Sequence, residues 1–251
     1  MKFFHEAPIS MFHDVQKVTD GDYALVHLFE THKDYYELFK EAVVKRREVI
    51  LDNSIFELGE SYDAALYEKW ILDLKPSYYV VPDVLENAAG TAANLFKWIE
   101  SGKANRCQLA GAKMIGVVQG KSEREIQQCY NVIEPFVDMV AISFDYSFFE
   151  NGFGRSKLDR MMRGRQRLIH KMNSYANKNK PHHLLGTALM QEGMFYKDLY
   201  PWIYSIDTSN PVAFGLQGDV YHGYGESIKP KFKMASVIDE ATDTYQLDSV
   251  V

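Results

Sequence analysis

Short apolar runs alternate with amphipathic stretches along most of the chain. The runs at 23–29, 48–51, 78–81, 113–118, 138–143, 183–186, 202–206 and 212–216 have the length and composition of strands. Tyr78-Tyr79-Val80-Val81 and Met114-Ile115-Gly116-Val117-Val118 are apolar nearly throughout. Strands read this way when both faces of a parallel sheet are covered. Between the runs, 35–45, 61–72, 87–100, 122–133, 158–172 and 191–200 carry apolar residues at helical spacing, several opened by an Asx or Ser in N-cap position. Eight strands separated by helices predict a (βα)₈ barrel. An open doubly wound sheet is the alternative, because periodicity does not report closure. No repeat or Gly/Pro-rich linker divides the chain, so 1–251 reads as one domain, with 228–251 read as a closing helix and an acidic tail.

In either architecture the reactive site belongs at the C-terminal ends of the strands, and the polar residues there are the informative ones. The second run leads into Asp52-Asn53-Ser54, the third into Pro82-Asp83, the fourth into Gln119-Gly120, the fifth into Ser143-Phe144-Asp145, the sixth into Gly186-Thr187 and the seventh into Asp207-Thr208. An Asp after a strand is commonly a turn former or N-cap. Asp52, Asp83 and Asp207, however, end three different strands and would converge on one mouth, where carboxylates can act as nucleophile, general acid/base or paired acceptor.

Other chemistries find less support. No HxH or HExxH spacing suggests a metal site. Asp20-Gly21-Asp22 precedes the first run and so belongs at the opposite end, and of the adjacent His182 and His183 at most one can face the site. Gly152-Phe153-Gly154 and Gly223-Tyr224-Gly225 match neither a Walker loop nor a dinucleotide fingerprint, so no cofactor is indicated. Ser54, Ser143 and Ser209 lack a nucleophile elbow. Phe56, Phe144, Tyr146, Phe148 and Phe149 read as packing residues that could also wall a planar substrate.

Composition adds three constraints. No stretch approaches the roughly 20 apolar residues of a membrane span, and Met1–Asp14 has no signal-peptide pattern. A soluble cytoplasmic protein is expected, in a host cytoplasm if the chain is viral. Cys107 and Cys129 are too few for a disulfide framework or a cysteine-rich zinc site. The net charge of −6 hides an asymmetry, since 151–180 holds nine Lys and Arg against Asp159 alone, a local +8 on a remainder of −14. Arg155, Lys157, Arg160, Arg163, Arg165 and Arg167 are candidate phosphate contacts, with a solvated helix face as the plain alternative.

The order LDNSIFELG, VVPDV, GVVQG, VAISF, HLLGTA, SIDTSNP resembles the tRNA-guanine transglycosylase superfamily, especially its short phage-type members that place 7-deazaguanine bases in DNA. The likeness covers roughly 48–210, and GVVQG is its most specific piece. It implies a (βα)₈ barrel that exchanges guanine in a polynucleotide for a 7-deazaguanine, preQ0 or a related base, through a covalent glycosyl-enzyme intermediate and without a metal or cofactor. By resemblance Asp207 is the nucleophile that attacks C1′, Asp52 the general acid/base and Phe56 the ring that stacks on the base. Asp83 and Gln119 read the guanine edge, which their chemistry suits independently: a carboxylate accepts from N1–H and the amine, and an amide donates to O6. Gly120, Ser143, Phe144, Leu185 and Gly186 complete the implied base pocket.

The departures point away from tRNA. The usual Asp-Ser-Gly-Gly-aromatic-Gln is here Asp52-Asn53-Ser54-Ile55-Phe56-Glu57, and a glycine pair has become Ser143-Phe144. The zinc subdomain with three cysteines and a histidine is missing, as is the Arg-containing segment that grips tRNA. The resemblance therefore implies DNA as the polymer, reached as a flipped or single-stranded nucleotide, with homodimerisation an open possibility. The same exchange on tRNA, hydrolytic removal of the base and a noncatalytic nucleic-acid-binding barrel are the alternatives.

Overall fold

The computed structural model describes residues 1–187, 189–221 and 233–239. Among these residues eight parallel strands close into a barrel in chain order: Lys2–His5 (β1), Gly21–Leu25 (β2), Glu48–Asp52 (β3), Tyr78–Val80 (β4), Lys113–Val118 (β5), Met139–Ser143 (β6), His182–Leu185 (β7) and Ile203–Thr208 (β8). β1 seals the barrel against β8, with Phe3 opposite Ile206 and Phe4 opposite Asp207. Ile50, Leu51, Ile115, Val140, Leu184 and Ile206 are fully buried, as strands covered on both faces must be.

Helices pack around the strands: Phe12–Gln16 (α1), Leu28–Thr31 (α2), Lys33–Val44 (α3), Ile55–Leu58 (α4), Ala64–Leu74 (α5), Ala88–Glu100 (α6), Lys103–Leu109 (α7), Glu123–Ile133 (α8), Lys157–Met172 (α9), Met190–Leu199 (α10) and Asn210–Leu216 (α11). Four of them start where side chains satisfy the free N–H groups of the first turn. Asp63 caps α5, Asn87 caps α6, Ser122 caps α8 and Ser156 caps α9. None of these helices is long and apolar enough to cross a membrane.

The closed barrel agrees with the predicted fold class, but the predicted strands are offset by one. The run at 23–29 belongs to β2, and 212–216 lies within α11. Pro211 in the first turn of α11 explains the second error, since its fixed φ and missing N–H suit a helix start. β1 went unseen because four residues ending in His5 show neither a long apolar run nor clear alternation. Of the predicted closing segment 228–251, residues 233–239 carry a 3₁₀ turn at Met234–Val237, which packs Met234 and Val237 against Ala7, Met11 and Val15. The rest of that segment, including the acidic tail, and the motif Gly223-Tyr224-Gly225 lie outside the described residues.

Asp20-Gly21-Asp22 sits at the N-terminal end, as its place before the run implied. Asp22 is buried and accepts from the Arg47 guanidinium at 2.9 Å. Gly21 is required there, because a Cβ would stand 2.3 Å from the Phe4 ring inside the barrel. Cys107 and Cys129 are both buried.

Candidate active site

The predicted carboxylates meet at the C-terminal mouth, each held by the turn that ends its strand. After β3, Ser54 takes a left-handed φ of 59° and donates its N–H to Asp52 Oδ1 at 2.7 Å. Asn53 points the other way, donating to Val81 O at 3.1 Å and to Asp83 Oδ1 at 2.8 Å. Phe56, in the single turn of α4, remains 53% exposed at this mouth, with Lys233 Nζ 4.6 Å from its ring centre. The part of the ring that Lys233 does not cover can receive a flat ligand.

Asp83 and Gln119 form a buried donor–acceptor pair. Gln119 Oε1 accepts from the Glu86 N–H at 2.9 Å, which fixes the amide so that Nε2 donates to Asp83 Oδ2 at 2.7 Å. The second hydrogen on Nε2 and the remaining carboxylate lone pairs of Asp83 present a donor beside an acceptor. Gly120 is buried against α8, where a Cβ would come within 2.7 Å of Glu125 and 3.0 Å of the Ile126 nitrogen. Its contribution is close helix–strand packing.

Asp207, only 4% exposed, is gripped on one oxygen. The Gly186 N–H donates to Oδ1 at 2.9 Å, and His183 Nε2 lies 3.0 Å from the same atom. A carboxylate only accepts, so Nε2 carries a hydrogen, and Nδ1 lies 2.8 Å from the Ser205 hydroxyl. Gly186 can aim its N–H this way because it adopts φ 62°, a conformation that disfavours a side chain. Leu185 is half-buried beside it.

β6 delivers less than its motif implied. The Ser143 N–H donates to the Tyr146 hydroxyl at 3.1 Å, and the Ser143 hydroxyl donates to Asp145 at 2.6 Å. Phe144 packs its ring 5.0 Å from the Arg165 guanidinium and against Leu158, Met162 and Leu189.

Arg165 corrects the predicted phosphate surface. It is fully buried, pairs with Glu192 through Nε at 2.7 Å and Nη2 at 2.8 Å, and donates to the Leu185 and Gly186 carbonyls at 2.8 and 2.9 Å. No polyanion reaches it. The amphipathic period of α9 turns this one arginine inward while its neighbours point out. Instead of binding phosphate, Arg165 anchors the loop whose Gly186 N–H holds Asp207. Arg155, Lys157, Arg163 and Arg167 are exposed and Arg160 is half-buried, with Lys157 paired to Glu150 at 2.6 Å and Arg163 to Asp159 at 2.8 Å.

The mouth also gathers groups that the strand-end search passed over. Tyr23, from β2, donates its hydroxyl to Asp52 Oδ2, and its ring lies within 13° of parallel to that of His183. Phe4 meets His183 edge-on inside the barrel, so alternation along β1 brings Glu6 to the same side, at the mouth. Only recognition of β1 could have flagged it. Glu57 was visible in its motif but had no role assigned to it.

These carboxylates crowd one desolvated space. Burial pushes Asp52 up to about 7, aided by Glu57 and opposed by the Tyr23 and Ser54 donors. Burial likewise raises Asp83, against the Asn53 and Gln119 amides, and raises Glu57. Glu6, although part of its surface reaches solvent, is held well above the usual carboxylate range by desolvation and by Glu57, Asp207 and Asp52. His5 is driven the other way, to about 4, by burial. Among the described residues no three His, Cys, Asp or Glu side chains are grouped to hold a metal ion.

Fold and site together define a (βα)₈ barrel whose mouth is built from desolvated carboxylates held by hydroxyl, amide, backbone and imidazole groups. No protein-family model matches the chain, and no curated protein does. Among solved structures, a crystal structure of an enolase protein from the environmental genome shotgun sequencing of the Sargasso Sea is similar at 11% identity with a TM-score of 0.46. The match covers 82% of this chain and 54% of that one, so the chain spans about half the length of that structure.

Proposed function

We propose that this barrel is a pentosyltransferase that exchanges guanine in DNA for a 7-deazaguanine base, with Asp207 as nucleophile. The observation that carries this reading is the contrast between two carboxylates in one mouth. Asp207 is fixed by two N–H donors on Oδ1, which leaves Oδ2 for attack, while Asp52 titrates near neutrality and can hold or release a proton.

Asp207 Oδ2 bonds to C1′ as the C1′–N9 bond breaks, and the electron pair leaves with guanine, which takes a proton from the Asp52 carboxyl. In the second step the incoming base gives its N9 proton to Asp52, N9 bonds to C1′, and the C1′–Oδ2 bond breaks. Two inversions at C1′ give retention. Asp83 and Gln119 select the guanine edge: Asp83 accepts from N1–H and the exocyclic amine, and the free hydrogen of Gln119 Nε2 donates to O6. Phe56 offers the stacking face. The exposed arginines at the start of α9 favour a phosphate polymer, and the lack of the tRNA-gripping segment favours DNA.

The test is release of labelled guanine from DNA or tRNA with and without a 7-deazaguanine base. Base-dependent release from DNA alone is expected. Release from tRNA only would move the same chemistry to another polymer, base-independent release would make the protein a hydrolase, and tight binding without release would leave a binding barrel.

A further inference from the structure

Gly152-Phe153-Gly154 takes no part in the barrel, yet it is placed with care. It joins the 3₁₀ turn Ser147–Asn151 to α9 in the loop after β6, at the end of the barrel that carries Asp52, Asp83 and Asp207. Phe153 is 92% exposed, more than any other large apolar side chain among the described residues. One exposed ring needs no explanation by itself. Its surroundings do.

Both flanking glycines lie against α9, and at Gly154 the contact is with helix backbone that cannot move aside. A Cβ on Gly152 would stand 2.3 Å from the Arg167 guanidinium, and one on Gly154 would stand 2.7 Å from the Arg160 backbone nitrogen. The loop thus lies against Arg160 and Arg167 of α9 and leaves the Phe153 side chain between its two glycines exposed. Lys157 and Arg163 nearby are neutralised by Glu150 and Asp159. Arg155, Arg160 and Arg167 have no carboxylate within ion-pair distance among the described residues. An aromatic ring projecting from uncompensated guanidiniums complements a polymer with anionic edges and flat, stackable bases.

We propose that Phe153 is a wedge that enters the base stack of a nucleic acid strand, with Arg155, Arg160 and Arg167 on the flanking phosphates, and fills the space left when a nucleotide is turned into the barrel mouth. The proposal rests on the base-exchange reading for the nature of its partner. Extruding a nucleotide from a duplex breaks stacking on both of its faces, and an inserted ring restores one of those contacts. A single strand has little stacking to lose, so the wedge matters chiefly on duplex DNA.

The test uses the full chain and a DNA duplex in which 2-aminopurine, which brightens when unstacked, neighbours a guanine. Wild type is expected to raise the fluorescence at saturation. Phe153→Ala should abolish the rise and slow guanine exchange from duplex by about tenfold while leaving exchange from the matching single strand within about twofold. Phe153→Trp should restore both. Since the ring packs on nothing, melting should be unchanged in either variant. An equal fluorescence rise with Phe153→Ala overturns the wedge and leaves base exchange standing. Unstacking by wild type without exchange from duplex or single strand overturns the base-exchange reading and leaves the wedge, and absence of unstacking by wild type overturns the wedge while guanine release from the single strand decides base exchange. A concentration-dependent dimer that Phe153→Ala disperses, with unstacking unchanged, assigns the ring to a second copy of the chain and also overturns the wedge.

Discussion

The two ends of the barrel treat their acids differently. At the N-terminal end buried or half-buried carboxylates meet cations: Asp22 meets Arg47 at 2.9 Å, and Glu48 meets Lys2 at 2.7 Å. At the C-terminal mouth Asp52 accepts from the Tyr23 hydroxyl and Asp83 from the Asn53 and Gln119 amides, all neutral donors, while Asp207 accepts from the Gly186 N–H and from His183. Arg165, the fully buried cation near the mouth, is committed to Glu192. A carboxylate matched by a cation is committed to a structural pair, and removing either partner strands the other. One held by neutral donors in a desolvated space can change protonation or attack a substrate.

The comparison breaks most decisively at Asp207. Asp207→Asn keeps an oxygen for the Gly186 and His183 donors but removes the nucleophile, so guanine exchange should fall about a thousandfold or more with melting little changed. Rate assays beside calorimetry check this, and full activity would sink the mechanism. At the other end Asp22→Ala strands the Arg47 guanidinium in its partly buried site. It should lose about 3 kcal/mol in urea unfolding while the folded fraction keeps its exchange rate.

Protonation sharpens the contrast further. Because burial holds Asp52 near 7 in the folded chain against an ordinary 3.8, the folded state keeps a proton that the unfolded chain releases between those values. The stability due to this site is complete below about pH 4 and is lost as pH rises to about 7. Asp52→Asn should flatten that part of the stability profile. Tyr23→Phe removes a donor to the carboxylate, so the limb of the exchange profile near pH 7 should move to higher pH; a shift downward would contradict the assigned role.

The smallest effect separates two arginines of one helix. Arg160→Gln should reduce the slope of log binding constant against log salt by about 1. Arg165→Met should leave that slope unchanged and lower stability instead, because Glu192 loses its partner.

Much of the barrel was legible in local pattern. β3 to β8 coincide with apolar runs, and the caps at Asn87 and Ser122 open their helices as read, whereas the stretch read from 61 starts at the Asp63 cap. Failure came where pattern is short or ambiguous. β1 is four residues long, and the apolar run at 212–216 lies within a helix that starts on Asn210-Pro211. The strand-end rule brought Asp52, Asp83, Gln119 and Asp207 to one mouth. It passed over Tyr23, which lies inside β2, and His183, which lies inside β7, because each reaches from below to a carboxylate two positions further along the neighbouring strand.

What the chain determines by itself is which residues turn, which strands are buried and which polar groups end them, since these follow from interactions among near neighbours. Tertiary structure alone decided that β1 closes the barrel on β8, that Arg165 turns inward to Glu192 while its helix neighbours face solvent, and that Asp52 sits where its carboxyl gives up a proton only near pH 7. The first two depend on partners 20 or more residues away, and the third on how far the packed barrel excludes water from the Asp52 carboxyl.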